Sequence, residues 1–192
     1  MDIQTTEEKI IEAANKVFSQ KGYAGTRNRD IAEEAGLNMA LVNYYFRSKQ
    51  KLFEIVMAEN LNKFFSVVLP ILNDSESTLI EKIGRLTDNY IDLLIENPDL
   101  PLFIFNEIKV DSENFKENIQ IDKLFNKSHF MGQVREALPE IDPLQFVISF
   151  FGMILFPFVS KPVFYNDERK FIQQMNESKE LIIKWARANL RI

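Results

Sequence analysis

The chain has no cysteine and a single histidine, His129. Disulfides, thiolate nucleophiles, zinc fingers and thiol redox sensing are therefore excluded, and one histidine without cysteine does not make a typical zinc site. Glycine and proline are also scarce, 6 and 7 of 192 residues, which suits long helices better than a turn-rich β fold. The opening residues, MDIQTTEEKI, contain neither a basic nor an apolar region, so no secretory signal is expected. The longest apolar run, Leu144 to Val159, has 16 residues and is interrupted by Gln145, Ser149, Gly152 and Pro157. A membrane span needs about 20 apolar residues. The expectation is a buried helix in a cytoplasmic protein with no membrane partner. No phosphate-binding loop and no catalytic carboxylate or metal-ligand spacing stands out, so neither an enzyme nor a cofactor is expected.

What is present is ordinary globular composition, 46% apolar and 27% charged, which rules out a disordered chain. Phenylalanine is in excess, 17 of 192 residues. Apolar residues recur with helical period and no useful stretch alternates with period two, so the fold class is all-α. Thr5-Thr6-Glu7-Glu8 fits a capping box opening a first helix with the stripe Ile10, Ala13, Ala14, Val17 and Phe18, stopped at Gly22. Thr26 is the expected N-cap of a short second helix, Gly36 its stop, Asn38 the N-cap of a third and Ser48 of a fourth, which Pro70 should end. Later helices are expected over 77–96, 99–109, 114–138, from Asp142-Pro143 onward, and from Asn166 or Asp167 onward. The domain division is placed at 1–50 and 51–192.

Residues 26–46 have the layout of a helix-turn-helix, two short helices joined by a glycine-containing turn. Ile31, Leu37, Val42 and Phe46 would pin the helices together, which turns Met39, Ala40, Asn43, Tyr44 and Arg47 outward. That face suits a DNA groove. Asn43 can pair with an adenine edge, and Met39 and Ala40 can touch a thymine methyl. Tyr44 and Tyr45 carry hydroxyls for phosphate or base. Thr26, Ser48 and Lys49 fall at helix N-termini, where phosphates bind. The net charge of −5 argues against a polyanionic partner only until it is located. Residues 16–51 hold seven bases against three acids, a local +4, and the remainder sums to −9.

The pieces AANKVFSQKGYAGT, RDIAEEAGLN and NYYFRSKQKLF, within residues 6–56, resemble the N-terminal domain of the tetracycline-repressor (TetR) family. Ala40, Asn43 and Asn28 depart from the residue types more usual there. The resemblance implies an N-terminal three-helix DNA-binding domain followed by a C-terminal helical bundle for ligand binding and dimerisation. It implies base contacts from Met39, Ala40, Asn43 and Tyr44, and phosphate contacts from Thr26, Arg27, Tyr45 and Lys49. Arg29 would read a base or a phosphate, and Asn38 belongs to the same DNA-binding set. A homodimer through the last two helices is implied, with Phe150, Phe151, Met153, Ile154, Phe156 and Phe158 as apolar surface for it. Two-fold symmetry places two recognition helices about 34 Å apart on double-stranded DNA and so implies a palindromic operator. A repressor released by a small effector is implied, with helix four as the lever. Phe103, Phe105, Phe125, Phe130, Phe150 and Phe151 are candidates to line an apolar pocket, and an apolar or aromatic effector would suit them. The alternative is a protein of the same fold, bound to DNA and controlled by a protein partner, with no small-molecule pocket.

Overall fold

Each short helix at the start of the chain is closed by its own side chains, and that local closure builds the first of two units. The computed structural model describes residues 5–110 and 127–190. Helix α1 spans Thr6–Gly25. Glu8 N–H donates to Thr5 Oγ1 at 3.2 Å and Thr5 N–H to Glu8 Oε2 at 2.7 Å, the expected capping box. Ile10, Ala13, Ala14, Val17 and Phe18 are buried as one stripe. The helical path breaks at Gly22, φ 67°. Helices α2 (Asn28–Ala35), α3 (Met39–Tyr45) and α4 (Lys49–Asn73) follow. Between α2 and α3, Gly36 adopts φ 65° and ψ 30°, and Leu37 N–H donates to Ala32 O at 2.9 Å. This is the left-handed stop that glycine accepts without a Cβ penalty. Asn38 Oδ1 then accepts from Leu41 N–H at 2.8 Å, starting α3.

The first unit runs through Phe64 and includes Leu102–Val110, the larger part of α6 (Leu100–Val110). By packing, the first unit thus ends inside α4. Over that length α4 is tied to α1: Leu52 and Val56 are buried, and Phe53 between them meets Phe18 and Tyr23. An aromatic cluster joins Phe18, Tyr23, Phe53 and Phe103 by edge-on and tilted ring contacts, 4.9–5.9 Å between centroids.

The second unit comprises Phe65–Pro101 and the described residues from 127 onward. Its helices are the end of α4, then α5 (Leu79–Glu96), α7 (His129–Ala137), α8 (Pro143–Phe164) and α9 (Glu168–Leu190). Pro70 does not end α4, contrary to expectation. It removes one hydrogen bond near the helix end, and burial of Ile71 and Leu72 just beyond it offsets that loss. Thr78 and Glu81 form a capping box for α5, whose Leu79, Ile83, Leu86, Tyr90, Ile91 and Leu94 make a buried stripe that α9 covers. In the turn before α5, Asp74 accepts from Ser77 Oγ, Glu76 N–H and Arg85 Nη1. These donors hold its carboxyl well below the usual carboxylate range, Ser77 contributing most.

Lys82, also on α5, is fully buried. Its ammonium donates to Gln133 Oε1 at 2.7 Å and lies 2.9 Å from His129 Nδ1, and loss of water pushes it below the ordinary lysine value. The expected helix over 114–138 is present in its described part as α7, and the rest lies outside the described residues. The apolar run forms a longer helix than 16 residues, because α8 accommodates both Pro157 and Pro162. By length and composition α4 and α8 could each cross a membrane. In α8, Phe146, Val147, Phe150, Ile154 and Phe158 are buried within the unit, while Leu144, Ile148, Phe156, Val163 and Phe164 are exposed.

A Cβ at Gly36 would meet no atom within 4 Å, so only the backbone opposes a side chain there. Gly36→Ala is expected to lower stability by about 1–2 kcal/mol, read from the urea unfolding midpoint. An unchanged midpoint would show that the turn tolerates another path.

Candidate nucleic-acid interface

Helix α3 is seven residues long, and its two faces differ sharply. Val42 is buried, while Met39 is 52% and Tyr44 78% exposed. Ala40, Asn43 and Arg47 are exposed on the same side. The face predicted from the helical period is therefore the face the structure turns outward. Tyr45 is 40% exposed and its ring meets Tyr44 edge-on, 5.5 Å between centroids at 87°. Asn38, the N-cap, is exposed at the entry to α3, but its side-chain oxygen is engaged by Leu41 N–H.

The charges around α3 sort themselves by ion pairing. Asp30 pairs with Lys21 at 3.0 Å, Glu33 with Arg29 at 2.8 Å, and Glu34 with Lys16. Asp30 also accepts from Arg27 N–H at 2.8 Å, which caps α2. These bonds, the Arg27 N–H foremost, hold the Asp30 carboxyl below its ordinary value. All three acids of the segment are thus matched to a base. Among the described residues no ion pair is formed by Arg27, Arg47, Lys49 or Lys51, and these four carry the local +4. They sit at the start of α2, the end of α3 and the first turn of α4. Surface pairs of this kind contribute little to stability. Their effect is to place the unmatched cations around the outward face.

Three of the expected contact residues sit differently from their sequence reading. Thr26 is not the N-cap of α2; Arg27 occupies that position. The Thr26 side chain is 2% exposed and its hydroxyl donates to Gly22 O at 2.7 Å, so it closes the break in α1 and does not face solvent. Lys49 is half-buried, with Nζ donating to Tyr23 O at 2.8 Å and Thr26 O at 2.9 Å, and it lies 4.2 Å from the Tyr23 ring centre. It therefore ties the first turn of α4 to the end of α1. Arg29 is exposed, but its guanidinium is directed along α2 to Glu33. One residue missing from the expected set stands beside the face: Asn28 Nδ2 donates to Asn43 Oδ1 at 3.0 Å. The sequence signal for it was a polar residue where an apolar one is more usual.

The described candidate pocket residues are divided between the two units. Phe103 belongs to the first unit and packs on Phe53. Phe105 is 43% exposed, and Phe125 lies outside the described residues. Phe130 and Phe150 are fully buried in the second unit, where Phe151 meets Phe150 and Tyr90 at 5.2 and 5.4 Å. An open depression lined by Glu76, Ser77, Glu81, Gly84, Arg85 and Asp88 includes none of the phenylalanines. The expected dimer surface needs correction too. Phe150, Ile154 and Phe158 are core residues, because the other helices of the unit cover that side of α8. Leu144, Ile148, Phe156 and Val163 occupy its exposed side.

A short helix locked by a glycine turn, with polar and aromatic side chains outward and unmatched bases around it, defines a helix-turn-helix DNA-binding domain. Residues 10–56 match the family model described as bacterial regulatory proteins, tetR family. That match covers the N-terminal DNA-binding domain, and the relatives the chain resembles over more of its length are transcriptional regulators. The chain is 26% identical over 161 residues to a protein of Bacillus subtilis (strain 168) named "Probable HTH-type transcriptional regulator YttP", spanning 81% of this chain and 78% of that one. It is 24% identical over 151 residues to IcaR of Staphylococcus epidermidis, named a negative transcriptional regulator of the icaADBC biofilm operon, spanning 74% and 78%. The fold is shared with FadR of Bacillus subtilis, solved in complex with stearoyl-CoA, at a TM-score of 0.59 and 19% identity over 91% of this chain and 96% of that one.

Lys49→Met is expected to destabilise the chain by about 2 kcal/mol, because two hydrogen bonds from a charged donor are lost and two carbonyls are left behind. Urea unfolding measures this. A side chain that served only as a phosphate contact would leave the midpoint where it is.

Proposed function

We propose that the chain is a sequence-specific repressor that binds a palindromic operator as a homodimer through α3. The observation that carries this reading is the exposure of Met39, Ala40, Asn43 and Tyr44 on one side of a helix whose other side is buried. Base edges in the major groove are within reach of such a helix, and Arg27, Tyr45 and Arg47 flank it as phosphate contacts. Lys49 adds positive potential with one N–H still uncommitted, and Arg29 can reach a phosphate only by leaving Glu33. Repression is supported by the name of IcaR.

Release by a small apolar ligand is part of the same reading. The stearoyl-CoA complex of the FadR neighbour supports it, and Tyr90, Phe150 and Phe151 form an aromatic cluster in the second unit. Helix α4 carries residues of both units, so a ligand with different affinity for two positions of α4 would change operator affinity by that difference. The dimer is read from the exposed side of α8, where Ile148 is 64% and Phe156 63% exposed. Large apolar side chains in a row on one helix face are more often an interface than a solvated surface.

Operator titrations test the DNA reading. Asn43→Ala and Tyr44→Ala should each weaken specific binding by about 1–3 kcal/mol, with binding to unrelated DNA unchanged. Equal affinity of both variants and the wild type for the operator would contradict the assignment. For the dimer, Ile148→Lys combined with Phe156→Lys should give the mass of one subunit by light scattering. A doubled mass in that variant would remove α8 as the seam, and recovery of the wild-type chain with lipid vesicles would assign the face to a membrane.

A further inference from the structure

The outward face of α3 contains one side chain whose orientation is set from another helix. Asn28, the first residue of α2, donates through Nδ2 to Asn43 Oδ1 at 3.0 Å across a sequence separation of 15. Asn28 is half-buried and Asn43 is exposed. An asparagine amide is planar, with an acceptor on one edge and donors on the other. Unconstrained, Asn43 could rotate to offer either. With Oδ1 held toward α2, the amide NH2 is turned away from α2, toward whatever approaches the exposed side of α3.

We infer that Asn28 is a specificity-determining residue, one that fixes the Asn43 amide so that α3 presents a hydrogen-bond donor to the base it reads. This rests on the reading of α3 as the DNA-recognition helix. A donor at that place selects base edges that carry acceptors in the major groove, such as purine N7, guanine O6 or thymine O4, and disfavours the N4 amino group of cytosine. It also differs from the paired grip on adenine expected of an isolated asparagine, which needs the carbonyl and the NH2 both turned to the base. Asn28 itself need not touch the DNA.

Replacement of Asn28 separates this from a merely structural tie between α2 and α3. The purified full chain and the variants Asn28→Ala, Asn28→Asp and Asn43→Ala would each select DNA from a random duplex pool. Asn43→Ala identifies, by loss of preference, the base pair that Asn43 reads. Asn28→Ala should flatten preference at that same pair by roughly five-fold or more and leave the other positions as in the wild type. Asn28→Asp offers only acceptors, so Asn43 must turn its NH2 to α2 and its carbonyl to the DNA. The preferred base at that one position should then change to one presenting a donor. If Asn43→Ala alters one base pair while both Asn28 variants keep the wild-type profile there, the inference is wrong and the DNA reading stands. If Asn43→Ala selects the wild-type profile, Asn43 is not a base reader and the inference falls with that assignment. Equal unfolding midpoints for the Asn28 variants and the wild type would assign any altered profile to the orientation of Asn43. Lowered midpoints with uniformly weaker binding and an unchanged profile would make Asn28 a structural tie and overturn the inference.

Discussion

Helices α2 and α3 have eight and seven residues, too few to hold their shape alone in water. Everything proposed for the N-terminal unit depends on what keeps them at a fixed crossing. The positive φ of Gly36 makes the tight turn possible, and Leu37 N–H on Ala32 O completes it. Ile31, Ala32, Val42 and Phe46 are then buried on the inner faces, with α2 packed on both α1 and α3. With that side committed, Met39, Ala40, Asn43 and Tyr44 have no alternative but to face outward. The rigidity of the reading surface is thus supplied by residues that never meet the DNA.

Lys49 and Thr26 extend the same principle. Each looked like a phosphate ligand, being polar and close to a helix start. In the folded unit both satisfy carbonyls freed where α1 breaks at Gly22 and turns toward α2. A chain that bends sharply leaves backbone acceptors unpaired, and nearby donors are recruited to them first. The electrostatics of the face follow a similar economy, since the three acids of the segment are matched by Lys16, Lys21 and Arg29, and the cations left over cluster at the helix ends.

The sequence made the short-range features legible. The stripe of α1, the capping box at Thr5, the turn at Gly36 and the outward face of α3 each depend on residues within one or two turns of one another. What was not legible depends on distant partners. In α8 apolar residues surround the helix, so the helical period could not say that Phe150, Ile154 and Phe158 face inward and Ile148 and Phe156 outward. Phe103 meets Phe53, fifty residues earlier in the chain, a contact no local spacing announces. Nothing local announced that Asn28 would meet Asn43, or that Lys82 would be buried against His129 and Gln133. Pro70 misled for a different reason, since the cost of one lost hydrogen bond was outweighed by burial of its neighbours.

Whether α3 lies in the major groove is the claim on which the rest turns. Dimethyl sulfate footprinting separates the grooves, because it methylates guanine N7 in the major groove and adenine N3 in the minor groove. On DNA selected by the purified chain, guanine N7 should be protected in two half-sites about one helical turn apart, with adenine N3 still reactive. Protection of adenine N3 with guanine N7 left reactive would contradict the account.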